Sequence, residues 1–189
     1  GSSSDAQPLP PDRRNLYSRR VLTVDLLGAV VAHRDGRQLS VPAGKTTELL
    51  ARLAIEAQRP VRADTILEDL WGVPTAGNTL QAKVSQLRNS LADRNVLRAL
   101  DGAYLLDIEP DNVDAVRADA LAVAAERARL EGDPAAALDR ARAGVALFRG
   151  DALTVGGAWA TPHRVRLEET RWALVETLMS ARIDLGAGA

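Results

Sequence analysis

The sharpest chemical signature belongs to Gly44, Lys45 and Thr46, in the stretch VPAGKTT between a β-branched run and an apolar-periodic one. A loop of that kind cradles phosphates with its backbone N–H groups, but it requires glycine five positions before the Gly-Lys pair. Leu39 stands there, and Gly36 is too far back. No acidic strand or parallel-sheet pattern follows, so nucleotide hydrolysis is not expected. Residues 111–119, DNVDAVRAD, space carboxylates closely but lack the central glycine and terminal glutamate of a calcium loop. They read as a helix start. The two histidines, His33 and His163, lie 130 positions apart, and there is no cysteine. Disulfides, cysteine-ligated zinc and thiol catalysis are thereby excluded. No Ser-His-Asp or paired-carboxylate arrangement emerges, so the sequence predicts no enzyme, no metal and no cofactor.

The remaining chemistry is that of a binding face. From Asn78 to Ala92, Leu80, Val84, Leu87 and Leu91 recur at i, i+4, i+7 and i+11, one side of a helix. The other side carries Thr79, Gln81, Lys83, Ser85, Gln86, Arg88 and Asn89. Lys and Arg suit phosphates or guanine, and Asn and Gln suit adenine. Solvated helix faces share this composition, so the neighbouring elements decide between the two readings.

Those elements form a pattern. Val21 to Leu27, Ala29 to His33 and Gln38 to Val41 read as strands, with Gly28 as a break and Arg34-Asp35-Gly36 as a hairpin turn. Helical spacing then runs from Lys45 to Gln58, stopped by Arg59-Pro60. A short helix follows, Ala63 to Leu70, closing at Trp71-Gly72. After the turn GVPTAGN comes the helix Asn78 to Ala92, then strands Val96 to Leu100 and Tyr104 to Ile108 joined by Asp101-Gly102-Ala103. The order β-β-β-α-α-α-β-β is that of a winged helix-turn-helix, an α+β domain whose last helix would read DNA. Everything beyond Glu109-Pro110-Asp111 reads as helix. One helix spans Val113 to Leu130, a second opens at the cap Asp133-Pro134 and runs to Phe148, and a third opens at Thr161-Pro162 and runs to Leu185. The tight Gly132-Asp133 turn makes an αα-hairpin of tetratricopeptide-like spacing, with the long third helix packed against it. The domain reading is a flexible arm over 1–20, a winged helix over 21–108 and an all-α domain over 109–189.

Charge supports that division. The whole chain holds 24 Lys+Arg against 25 Asp+Glu, a net −1, which argues against a uniformly basic nucleic-acid coat. Yet residues 13–108 hold 14 Lys+Arg against 10 Asp+Glu, while residues 109–189 hold 10 against 13. The candidate DNA-reading part is mildly basic and the helical part mildly acidic. Hydrophobic residues make up 46% of the 189 residues, enough for a core, but aromatics only 3%, so that core must be aliphatic. No run approaches about 18 apolar residues, and the start GSSSDAQPLPPDRR lacks the apolar centre of a signal peptide, so a cytoplasmic protein is expected.

The run Leu70-Trp71-Gly72, then NTLQAKVSQLRNSLA at 78–92, then AYLLDIEPDNVDAVRADAL at 103–121, resembles the streptomycete antibiotic regulatory protein family. So do GDPAAAL at 132–138, LFRGDAL at 147–153 and RLEETRWAL at 166–174, in that order. The resemblance covers residues 21–186. It implies an OmpR-type winged helix followed by a bacterial transcriptional activator domain, here shortened, in an actinobacterial activator of transcription. It further implies a recognition helix at 78–92, with Asn78, Thr79, Gln81, Lys83, Ser85, Gln86 and Arg88 at the DNA. Lys45, Trp71 and Arg98 become candidates for the DNA backbone. The implied partners are double-stranded promoter DNA with direct repeats, RNA polymerase and a second copy of the protein on DNA, with no membrane. Three departures stand out. The wing LDGAY carries Asp101 at its turn with Ala103 in place of the usual glycine before Tyr104, Ser85 and Gln86 stand where arginines are common, and the activator domain stops after about its third helix. The first two favour a second reading, a protein-interaction module whose winged helix no longer binds DNA.

Overall fold

The alternation LTVD and the β-branched VAHR each place every second side chain inward, and the computed structural model, which describes residues 21–72 and 77–187, pairs them as antiparallel strands. β1 (Leu22–Asp25), β2 (Val31–Arg34) and β3 (Arg37–Gln38) form a sheet in that order. The turn is Asp35-Gly36, one residue shorter than expected. The third strand therefore starts at Arg37 and ends at Gln38 instead of reaching Val41. The arm read over 1–20 and most of the turn read at 72–78 lie outside the described residues.

α1 (Lys45–Ala54) buries Leu49, Leu50 and Leu53. It ends before the expected Gln58. A two-residue strand that the sequence did not announce, β4 (Val61–Arg62), leads into α2 (Ala63–Trp71). Gly72 closes α2 in the left-handed conformation, φ 74°, which a side chain would resist. α3 (Gly77–Ser90) follows, then the hairpin of β5 (Leu97–Leu100) and β6 (Ala103–Leu106). β6 lies between β4 and β5 in a second three-stranded sheet. The winged helix expected from the element order is thus present.

A 3₁₀ turn at Pro110–Asn112 leads into three helices, α4 (Asp114–Leu130), α5 (Pro134–Val145) and α6 (Ala160–Ala187). Asp133 caps α5 as expected, its carboxylate accepting from the Ala136 amide at 2.9 Å. α6 opens one residue before Thr161, so the Thr161-Pro162 pair lies in its first turn and does not flank it. Trp159 is buried just ahead of the helix. α6 packs against both α4 and α5, so the long helix covers the αα-hairpin. Among the described residues no helix is long and apolar enough to cross a membrane.

One aliphatic core runs from the first sheet through α1–α3 and the wing into the start of α4, and on to Leu147, Leu153, Trp159 and Leu167. The two halves are also bonded. The Asp114 carboxylate, first in α4, accepts from the Leu26 amide at 2.6 Å and the Leu27 amide at 3.1 Å, just beyond β1. Arg149 donates to Asp114 at 2.6 Å and lies 3.1 Å from Asp25. The Leu153 amide donates to the Leu26 carbonyl, and the Thr154 hydroxyl to the Gly28 carbonyl.

Candidate nucleic-acid interface

α3 sits on the molecule by the seam that the sequence predicts. Leu80, Val84, Leu87 and Leu91 are each at most 2% exposed. Their partners include α1, and burying four aliphatic side chains at about 1.5–3 kcal/mol each is ample to hold one helix in place. Polar ties then fix its rotation. Buried Thr46, in the first turn of α1, donates to Gln86 Oε1 at 2.7 Å, and Lys83 Nζ donates to the same oxygen at 3.2 Å. Arg88 Nε donates to the Leu97 carbonyl at 2.9 Å, tying the helix to the first strand of the wing.

The helix therefore presents its polar residues unequally. Asn78, Gln81, Ala82, Ser85 and Asn89 are exposed, whereas Thr79, Lys83, Gln86 and Arg88 are half-buried along its flanks. Asn89 belongs to this outermost stripe, although the resemblance did not carry it over as a contact. The signal that finds it is the run 78, 82, 85, 89, which continues the outer face for one more turn.

The cations of the winged helix are largely spent internally. Arg34 pairs with Asp93, Lys45 with Glu48, Arg52 with Asp69, Arg59 with Glu56, Arg62 with Asp64 and Arg98 with Asp107. Lys45 thus opens α1 with its ammonium 2.7 Å from Glu48. Since Thr46 bonds Gln86, the Gly-Lys-Thr triplet serves helix packing. Arg98 meets Asp107 at 3.3 Å across the wing. Arg88, Arg94 and Arg98 line a cleft of about 550 Å³ at the end of α3, with Asp107 on its wall. Trp71, at the end of α2, and Tyr104, in β6, are half-buried against the core. Among the described residues no three His, Cys, Asp or Glu converge as metal ligands. His33 lies 3.6 Å from Asp25, and His163 lies edge-on to Trp159 in the helical half. Burial first, and then Arg52 and Arg166, push the His163 imidazole below its usual pKa.

Two domain families match the chain in sequence order: "Transcriptional regulatory protein, C terminal" over residues 38–102 and "Bacterial transcriptional activator domain" over residues 113–189. The regulatory protein DnrI of Streptomyces peucetius is 31% identical over 183 residues, covering 89% of this chain and 67% of DnrI. The chain belongs to the streptomycete antibiotic regulatory protein family. The regulatory protein AfsR of Streptomyces coelicolor is 36% identical over 173 residues, covering 89% of this chain but 17% of AfsR. The transcriptional regulator RedD of the same organism is 33% identical over 178 residues, or 51% of its own length. Among solved structures, Mycobacterium tuberculosis EmbR, in complex with a low-affinity phosphopeptide, superposes with a TM-score of 0.80 at 26% identity. That match covers 87% of this chain and 46% of EmbR. These relatives are therefore longer than the part this chain shares with them. The family is one of transcriptional regulators with an OmpR-type DNA-binding domain.

Proposed function

We propose that this protein is a sequence-specific DNA-binding activator of transcription that reads promoter direct repeats with α3 and recruits RNA polymerase. The observation that carries the proposal is the division of α3 into a fully buried aliphatic seam and an exposed stripe of donors and acceptors. A helix so divided, the last of a helix-turn-helix and in front of a wing, lies in the major groove with its stripe toward base edges. We assign DNA contacts to Asn78, Thr79, Gln81, Lys83, Ser85, Gln86 and Arg88, and backbone contacts to Lys45, Trp71 and Arg98. Residues 21–108 form the DNA-binding domain and 109–189 the activator domain, which offers its surface to polymerase or to a second copy bound at the adjacent repeat. Such a protein acts in the cytoplasm, where the promoter is.

The internal pairing of the cations favours one competing reading, a winged helix that docks protein instead of DNA. Fluorescence anisotropy against the DNA upstream of the protein's own gene separates the two. Binding is expected, and Lys83→Ala and Arg88→Ala should each weaken it, with the salt slope falling by about one for each phosphate grip removed. Affinity that is absent, or indifferent to both substitutions, would overturn the assignment of α3.

A further inference from the structure

The outermost stripe of α3 carries no charge. Asn78, Gln81, Ala82, Ser85 and Asn89 fall at i, i+3, i+4, i+7 and i+11, and all are exposed. The side chains of Asn78, Gln81, Ser85 and Asn89 make no hydrogen bond with another described residue, and all four are exposed. The two cations of the helix are drawn aside. Lys83 leans onto Gln86, toward α1, and Arg88 is held by the Leu97 carbonyl, toward the wing. Each is half-buried on its flank.

Base chemistry gives that arrangement a consequence. Guanine shows two acceptors in the major groove, O6 and N7, and is read bidentately by Arg or Lys. Adenine shows one acceptor and one donor, N7 and N6–H₂, which an Asn or Gln amide matches with its own donor and acceptor. Thymine adds a methyl group that an alanine methyl can meet. From Asn78 to Asn89 the stripe runs about 16 Å along the helix, at about 1.5 Å per residue, and the helix brings part of it to base edges where it crosses the groove.

We infer that this stripe makes α3 a reader of adenine–thymine pairs, with Gln81 and Asn89 as the adenine-reading amides and Ala82 against a thymine methyl. Lys83 and Arg88, on the flanks, grip the phosphates on either side of the groove and leave base choice to the amides. The inference rests on the proposed DNA-binding function and adds the base class that it recognises.

The test uses the 189-residue chain and a random pool of duplex DNA, from which bound sequences are selected and aligned. The expected core is dominated by A·T pairs. In the selected duplex, 7-deazaadenine at the core adenines removes N7 while keeping base pairing. It should weaken binding on the order of tenfold for each bidentate amide–adenine pair that it breaks. Replacement of guanines by 7-deazaguanine should change little. Gln81→Ala and Asn89→Ala, both at exposed positions, should each relax base choice at one position of the reselected core, with an unchanged salt slope and unchanged melting temperature. A G·C core, or binding that tolerates 7-deazaadenine but not 7-deazaguanine, overturns the inference and leaves DNA binding standing. No binding to any duplex overturns both.

Discussion

Gln86 and Asp114 are both polar residues bonded within the protein, and the chemistry of each follows from what it touches. At Gln86 one amide oxygen accepts from Thr46 and Lys83 together, so a residue that periodicity places on the polar face serves as a joint between α1 and α3. The sequence offers its side but not its partner, because the two helices meet across 40 positions. Asp114 is 5% exposed and accepts two backbone amides. Burial pushes its carboxyl above the ordinary carboxylate value, Asp25 adds to that, and the two amides and Arg149 pull it back. Asp114→Asn turns an amino group toward one of those amides and leaves it unpaired, at a cost of about 1–3 kcal/mol. The pH dependence has a definite sign. A folded carboxyl with a raised pKa binds its proton more tightly than the unfolded one. Stability therefore falls as pH rises from the ordinary value of 3.8 through the raised one. The non-titrating Asn lacks that slope. Urea midpoints across this range should show the advantage of the unsubstituted protein over Asp114→Asn shrinking as pH rises. An advantage that grows with pH would mean that the hydrogen bonds outweigh the burial.

Elements are legible where a seam is pure. Leu80, Val84, Leu87 and Leu91 locate α3 and its inner face, and Asp133-Pro134 locates the start of α5. Ends are less legible, because they depend on contacts far away in sequence. α5 stops at Val145, short of Phe148, where the chain turns back and the Arg149 amide donates to the Leu27 carbonyl. β4 is only two residues long and exists through its pairing with β6, so no periodicity could announce it. Gly144 shows the same limit inside a helix. In sequence it is a poor helix former in α5, yet a Cβ there would lie 2.6 and 2.8 Å from the Cδ atoms of Leu174 on α6. Leu174 is fully buried and has little room to yield. At an open helical site Gly→Ala gains about 1 kcal/mol from propensity alone. At 144 the overlap should cost about 1–3 kcal/mol and reverse the sign. Gly144→Ala is therefore expected to lower the melting temperature, and a rise would mean that α5 and α6 do not approach this closely.

The whole molecule shows what neither its charge nor its motif order could. Read along the chain there are two domains, but the core passes from one to the other without a break, and bonds between the halves join residues far apart in sequence, such as Leu27 with Asp114, 87 positions on, and Gly28 with Thr154, 126 positions on. Trp159, between α5 and α6, lies with Arg52 of α1 5.6 Å from its ring centre, while Arg52 also bonds Asp69 of α2 at 2.7 Å. The loop ahead of α6 thus rests on the same helix pair that supports α3. A shared core of this kind makes separate unfolding expensive. Freeing either half would expose Val24, Leu26, Leu27 and Val113, each fully buried, at about 1.5–3 kcal/mol per side chain. The loss is comparable to the entire stability of a small domain, about 5–15 kcal/mol. The two halves should therefore unfold together. In urea, tryptophan fluorescence, whose change reports on half-buried Trp71 and buried Trp159 because Trp172 is already exposed, and far-ultraviolet circular dichroism, dominated by α4–α6, should give coincident transitions. Asp114→Ala, which removes the acceptor at the joint, should lower both midpoints together or begin to part them. Separate transitions in the unsubstituted protein would show that the joint is only a contact, and that the position of the activator helices is not set by the domain that holds α3.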